Sequence, residues 1–256
     1  MLNNFFGLSC KTLLYKIYIK VFFKKINKLQ YLRSLFKLKK GIEIGGPSNR
    51  FNTNSFFPLY DIVDALDNIN FSKVNLWSKN DSFFNKNENS FINSFIADAT
   101  NLNFLESNNY DFVLSCNNLE HIANPIKAIN EWNRILKNNG NLLLVLPNKI
   151  SNFDHKRQYT KLEHILDDFI NDINEDDLTH LHEILNYHDL SRDPKAGNYD
   201  NFRQRCLDNF NNRAMHHHVF NIGLLEDILK YCGMILIYKE VTYTDLYIIA
   251  QKRNSN

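Results

Sequence analysis

The chain has 256 residues, 44% of them hydrophobic and 23% charged, with a formal net charge of +2 and four cysteines. This is the composition of a globular chain long enough for one α/β domain with an insertion and a buried core. Cys10, Cys116, Cys206 and Cys232 form no Cys-x-x-Cys pair; their spacing excludes a disulfide framework or a zinc-ribbon pattern and suits free thiols in a reducing, cytoplasmic compartment.

The charge is unevenly spread. Residues 1–40 carry ten Lys or Arg and no acid, leaving 20 basic against 28 acidic residues in the remainder. A basic arm therefore precedes an acidic body. The apolar run Leu13–Phe23 is interrupted by Lys16 and Lys20, so it falls short of the roughly 20 apolar residues of a membrane span. Two readings stay open for the arm. It is an amphipathic helix packed on the body, or one that touches an anionic inner-membrane surface through residues 1–38.

From Gly41 the pattern changes. Gly41–Gly45 reads as a short buried strand ending in glycines, followed by the Pro47-Ser48-Asn49 turn. Further strands are predicted near Tyr60–Leu66, at Ser94–Ala97 and at Tyr110–Ser115. Asn124-Pro125 is an N-cap followed by a first-turn proline. Ile126, Ile129, Trp132, Ile135 and Leu136 then share one helical face, and Asn139-Gly140 ends that helix. Asn141–Leu146 is nearly all apolar, as a central parallel strand is. Residues 150–215 break the alternation; Thr160–Glu163 reads as a capping box and Asn174–Asp177 as an acid-rich helix start. Asn221 caps a helix reaching about Cys232, and Met234–Val241 with Asp245–Gln251 close the chain as an antiparallel pair. The expectation is a Rossmann-like α/β fold, a seven-stranded mostly parallel sheet with a C-terminal antiparallel hairpin. It divides into an arm (1–40), a core (41–149 and 216–252) and a helical insertion over the acceptor side (150–215).

Open parallel sheets bind ligands beyond the carboxyl ends of their strands, so the strand ends are where chemistry is sought. Glu43, Gly45, Gly46, Pro47 and Ser48 occupy the first turn. Asp64 follows Gly45 by 19 positions, where an acid can accept both ribose hydroxyls. Asp98-Ala99 follows the third strand, and Ser115, Asn117, Glu120 and His121 the fourth. A dinucleotide would require Gly-x-Gly-x-x-Gly to seat its pyrophosphate; Gly45-Gly46-Pro47-Ser48-Asn49-Arg50 lacks the second and third glycines. S-adenosylmethionine, without a phosphate, tolerates the bulkier turn.

These residues together resemble the class I methyltransferases. Glu43-Ile44-Gly45-Gly46 is similar to their first motif, Asp64 to the ribose-binding acid, Asp98-Ala99 to the adenine contact, and Leu119-Glu120-His121 to the motif after the fourth strand. Pro47 stands where a glycine is usual. The resemblance implies S-adenosylmethionine as cofactor. No ligand spacing is diagnostic of a metal site, so a metal is not expected, although Asp154-His155 with the His216–His218 triplet could form a mixed oxygen/nitrogen one. Asp154-His155-Lys156-Arg157, Asp177–Leu181, His188-Asp189-Leu190 and His216–Phe220 resemble segments of bacterial methyltransferases near surface-polysaccharide genes. That likeness implies a sugar, nucleotide sugar or capsule precursor as acceptor.

A hydroxyl acceptor profits from a general base, and His155, His218, His216 and His121 are the candidates, histidine titrating near working pH. His216 and His218 would share a side if their segment were a strand. His180 and His182, two apart on a predicted helix, would point apart and could not share an ion unaided. The acidic body argues against nucleic acid as a partner. A nicotinamide-dependent oxidoreductase and a non-catalytic, membrane-associated scaffold are the competing classes.

Overall fold

The computed structural model describes residues 28–73 and 91–254. Most of the basic arm, on which both the packed-helix and the membrane-surface readings bear, lies outside the described residues. Residues 28–34 are its described helix, α1. Among the described residues no helix is long and apolar enough to cross a membrane.

Seven strands form one sheet: β1 (Lys40–Ile44), β2 (Ala65–Asn70), β3 (Phe91–Ile96), β4 (Tyr110–Cys116), β5 (Leu136–Pro147), β6 (Met234–Val241) and β7 (Asp245–Lys252). Their spatial order is β3-β2-β1-β4-β5-β7-β6. β1 to β5 pair in parallel, while β7 runs antiparallel to both β5 and β6. The order reverses beside β1, placing a ligand crevice at the end of β1 and β4.

Side chains alternate across the strands and divide the core in two. Val113, Leu142, Leu144 and Leu146 face one side, with α2 (Pro125–Ile135), α3 (Leu162–Ile170) and α7 (Ile222–Tyr231). Phe112, Leu114, Leu143 and Val145 face the other. That second side is covered by α1 and the 45–64 connection rather than by long helices. Leu32 and Phe36 meet Phe51, Phe57 and Leu59 there, and the Phe36 ring stands edge-on to Phe112, 5.4 Å between centroids.

The expected caps at both ends of the core form. The Asn124 side chain accepts from the Lys127 N–H and that of Asn221 from the Leu224 N–H. Three local expectations are corrected. β2 begins at Ala65, because Leu59–Asp64 is a turn whose Asp64 N–H donates to the Lys39 carbonyl. Its polar residues hid the strand: Asp67 is buried but accepts from Tyr110 Oη at 2.7 Å. The Thr160 capping box does not form; Thr160 Oγ1 accepts from the Val219 N–H instead, and Lys161 occupies the cap without a side-chain bond. Asn174–Asp177 is a turn, and the next helix, α4, is Leu181–Tyr187. α5 (Tyr199–Leu207) and α6 (Asn209–Asn212) complete the insertion. Residues 216–220 pair with no strand, so consecutive histidines there do not alternate as in a ladder.

Candidate functional site

A cavity of about 1330 Å³ opens at the carboxyl ends of β1, β2, β3 and β4. Its first wall is the turn after β1. Gly45 has φ of +82°, and a Cβ there would lie 2.7 Å from Asn118 Cγ; only glycine adopts this conformation so close to the next loop without strain. Gly45, Pro47 and Ser48 line the cavity. Gly46 and Glu43, also read as ligand contacts, lie outside that lining. The Gly46 carbonyl accepts from Asn70 Nδ2 at 2.7 Å and Asn68 Nδ2 at 3.2 Å.

Glu43 is wholly buried behind the turn. One carboxylate oxygen accepts from the Ser48 N–H at 3.0 Å, the other from Tyr60 Oη at 2.7 Å. Burial pushes its pKa up to about 7, against the lowering effect of those two bonds. Glu43 therefore braces the turn from below, with both oxygens engaged by protein groups.

At the end of β2 the sequence reading is also corrected. Asp64 precedes the strand, at the end of the sheet away from the cavity. The residues that line the cavity there are Asn70 and Phe71. Because the strand's polar alternation conceals its boundaries, the residue ending it was not identifiable from spacing.

Asp98 and Ala99 line the cavity as expected. Asp98 Oδ1 accepts from the N–H and hydroxyl of Thr100, at 2.8 and 2.7 Å, and Oδ2 from Arg213 at 3.2 Å. Arg213 also pairs with the buried Glu175. The insertion thus closes over this part of the cavity through an arginine that no local pattern marks. Beyond β4, Asn117, with φ of +47°, lines the cavity, and its N–H donates to the Val145 carbonyl at 2.9 Å. Ser115 is buried behind it, outside the lining; its Oγ accepts from Asn118 Nδ2 at 3.4 Å.

The opposite end of the cavity is built from Glu120, His121 and His216. His216 Nδ1 lies 2.5 Å from Asp154 Oδ2. Arg157, itself buried, donates to Asp154 Oδ1 at 3.0 Å and to the His216 carbonyl at 2.8 Å. Burial opposes a charge on His216, but Asp154 and then Glu120 outweigh it, and its pKa sits above the ordinary value. Burial likewise acts to raise Asp154, and His216 and Arg157 overcome it, holding the carboxyl far below the usual range. Burial raises Glu120 to about 7 against the pull of His216, and Glu120 Oε2 is buried without a hydrogen-bond partner. His121 crosses His216 edge-on, 4.5 Å between centroids, with Nδ1 3.1 Å from the Met215 carbonyl. Burial and then the neighbouring His216 drive its pKa well below ordinary.

The four candidate histidines thus separate. His216 and His121 meet in the cavity. His155 is outside its lining, 3.5 Å from Asp189 Oδ2. His218 is buried beside α3, outside the lining, with Nε2 3.0 Å from the Ala123 carbonyl. In Asp154-His155-Lys156-Arg157 it is the first and last residues that bond His216, which lines the cavity, and not the histidine. The ligand atoms of Glu120, His121 and His216 also lie within 4.8 Å of one another.

Residues 60–144 match a family model described as a methyltransferase domain. A segment of 46 residues is 52% identical to an uncharacterized protein of Methanocaldococcus jannaschii, covering 18% of this chain and 20% of that protein; the chain thus matches about a fifth of that relative's length. Among solved structures, a candidate methyltransferase of Bacillus halodurans C-125 superposes with a TM-score of 0.52 at 13% identity, covering 90% of this chain and 100% of that one. A SAM-dependent methyltransferase of Methanosarcina mazei gives 0.50 at 15% identity, covering 88% and 98%. At these identities the likeness is one of fold, and the fold shared is the seven-stranded Rossmann-like one.

Proposed function

We propose that this chain is an S-adenosylmethionine-dependent methyltransferase that delivers its methyl group to a small hydroxyl-bearing acceptor, a sugar, nucleotide sugar or related surface-polysaccharide precursor. S-adenosylmethionine would supply, when bound, a methyl carbon on a sulfonium sulfur, which departs as a neutral thioether and needs no activation. The protein's work is then alignment, worth about 7–11 kcal/mol when well made, and removal of the acceptor's proton, worth about 10²–10⁴ in rate.

The observation that carries the reading is His216 in the cavity wall, backed by Asp154 on its Nδ1. Asp154 engages Nδ1, which leaves Nε2 as the nitrogen that takes a proton. The resulting imidazolium is stabilised by Asp154 and Glu120. An amine acceptor, neutral when it attacks, has less need of such a pair, so the pair favours oxygen over nitrogen. Asp154 and Arg157 act on the acceptor through His216 and are positioning residues.

On this reading Gly45, Pro47 and Ser48 flank the cofactor's amino-acid end, Asn70 stands at its ribose, and Asp98 with Ala99 at its adenine. The cavity's volume supports two ligands: about 1330 Å³ exceeds the roughly 300–1,000 Å³ of a single small-molecule site. Arg205 and Lys195 line its insertion side, which favours an acceptor that carries phosphate, as a nucleotide sugar does.

The test is S-adenosylhomocysteine release with panels of sugars, nucleotide sugars and amino-alcohol phosphates. Turnover of a nucleotide sugar, lost in His216→Ala with cofactor affinity retained, is expected. Turnover confined to amines, or a His216→Ala variant of normal rate, would refute the oxygen-directed reading.

A further inference from the structure

We propose that His164, Asp168, His180 and His218 form a second site, away from the cavity, for one divalent transition-metal ion of the zinc type that fastens the insertion to the core. Their ligand atoms all lie within 4.8 Å of one another. None of the four lines the cavity.

The distances are those of a coordination shell. His164 Nε2 is 2.9 Å from His180 Nε2 and 3.4 Å from Asp168 Oδ2, and His218 Nε2 is 3.6 Å from the same oxygen. With metal–ligand bonds of about 2.0–2.1 Å, a tetrahedral site has ligand atoms about 3.3–3.4 Å apart. Two ring nitrogens facing each other at 2.9 Å, with a carboxylate oxygen on the same point, is a convergence that a single cation explains.

Two further features agree. Asp168 Oδ2 is buried and accepts no hydrogen bond, although its position costs it water; a buried carboxylate needs a counter-charge. Glu183 stands 3.7 Å from His180 Nδ1, and Arg157 donates to Glu183. A carboxylate behind the second nitrogen of an imidazole orients the ring and raises its donor strength toward a metal. Ligation through His218 Nε2 replaces its bond to the Ala123 carbonyl.

Three imidazoles and one carboxylate select a borderline ion such as Zn²⁺ over Mg²⁺ or Ca²⁺, which take oxygen-rich shells. With four protein ligands the site is closed, as structural zinc sites are. His164 and Asp168 come from α3, His180 from the start of α4, and His218 from the segment entering α7. The ion would tie two insertion helices to the return strand of chain that also carries His216.

The full chain is dialysed against EDTA, then titrated with Zn²⁺ and, separately, Co²⁺. Expected are one ion per chain by mass spectrometry, a higher melting temperature, and the intense visible bands of four-coordinate Co²⁺. His164→Ala, at a half-exposed position where folding is undisturbed, removes the bands and the melting shift; Asp168→Asn weakens both. His182→Ala, on the exposed side of α4, changes neither. Wild-type protein that retains no ion overturns the proposal. So does a His164→Ala chain that keeps the ion and an unchanged Co²⁺ spectrum, which would place the ion elsewhere.

Discussion

Two single residues decide whether the cavity works. Adding a Cβ at Gly45 sets it 2.7 Å from Asn118 at a φ of +82°. Gly45→Ala should therefore weaken S-adenosylmethionine binding by about tenfold or more, an energy near 1.4 kcal/mol, in calorimetric titration. His216 titrates above its ordinary 6.5 because of Asp154 and Glu120. As a base it must be neutral, so kcat/KM should rise with pH through a midpoint above 6.5. Asp154→Asn removes the anion that raises it, and the midpoint should move down while kcat falls. An unchanged midpoint in the pH–rate profile would exclude His216 as the titrating base. Stability follows the opposite sense for the two partners. Asp154, held low, contributes stability above about pH 4 that fades as pH falls through its folded value. His216, held high, contributes below its ordinary 6.5 and loses that contribution as pH rises through its raised value. The pair is worth most between those limits.

At the scale of elements, punctuation carried more information than spacing. Asn124-Pro125 and Asn221 place helix starts where α2 and α7 begin, because a side chain that accepts a backbone N–H is a local signal. Asn221→Ala should lower the melting temperature by the loss of about 1 kcal/mol, seen in thermal unfolding. The apolar strands β4, the Asn141–Leu146 half of β5 and the terminal hairpin were legible from their hydrophobic runs; Leu136–Gly140, read as the end of the preceding helix, belongs to β5, since α2 stops at Ile135. β2 was not: Asp67, Asn68 and Asn70 are buried polar residues satisfied by tertiary partners such as Tyr110 and the Gly46 carbonyl, and no local pattern announces a partner 43 residues away. The displaced strand start is what moved the acid Asp64 away from the site. The same blindness hid Asp154 as the partner of His216, 62 positions distant, and Arg213 as the partner of Asp98. Thr160 reads as a cap yet bonds Val219, a competition between local and long-range acceptors that only the folded chain resolves.

At the scale of the molecule, the insertion and the core meet through Arg157. It is buried and bonds Asp154, Glu183 and the carbonyls of His216 and His217. Removing one partner of a buried ion pair costs about 3–5 kcal/mol, because the other charge is left uncompensated. Arg157→Met should therefore loosen the whole insertion. Limited proteolysis should cut within 150–215 faster than in wild type, while unfolding of the sheet, followed by the buried Trp132, shifts less. If both respond equally, the insertion and core unfold as one unit. The sheet itself adds a constraint in time. β7 is the last strand in chain order yet lies between β5 and β6, with seven register pairs to β5, from Asn141↔Gln251 to Pro147↔Asp245. A ribosome emits β1 to β5 first, and their apolar edge at Leu142, Leu144 and Leu146 stays uncovered until residue 252 has cleared the exit tunnel. For that interval the nascent chain exposes an open parallel edge, the condition under which chains mispair and chaperones are engaged.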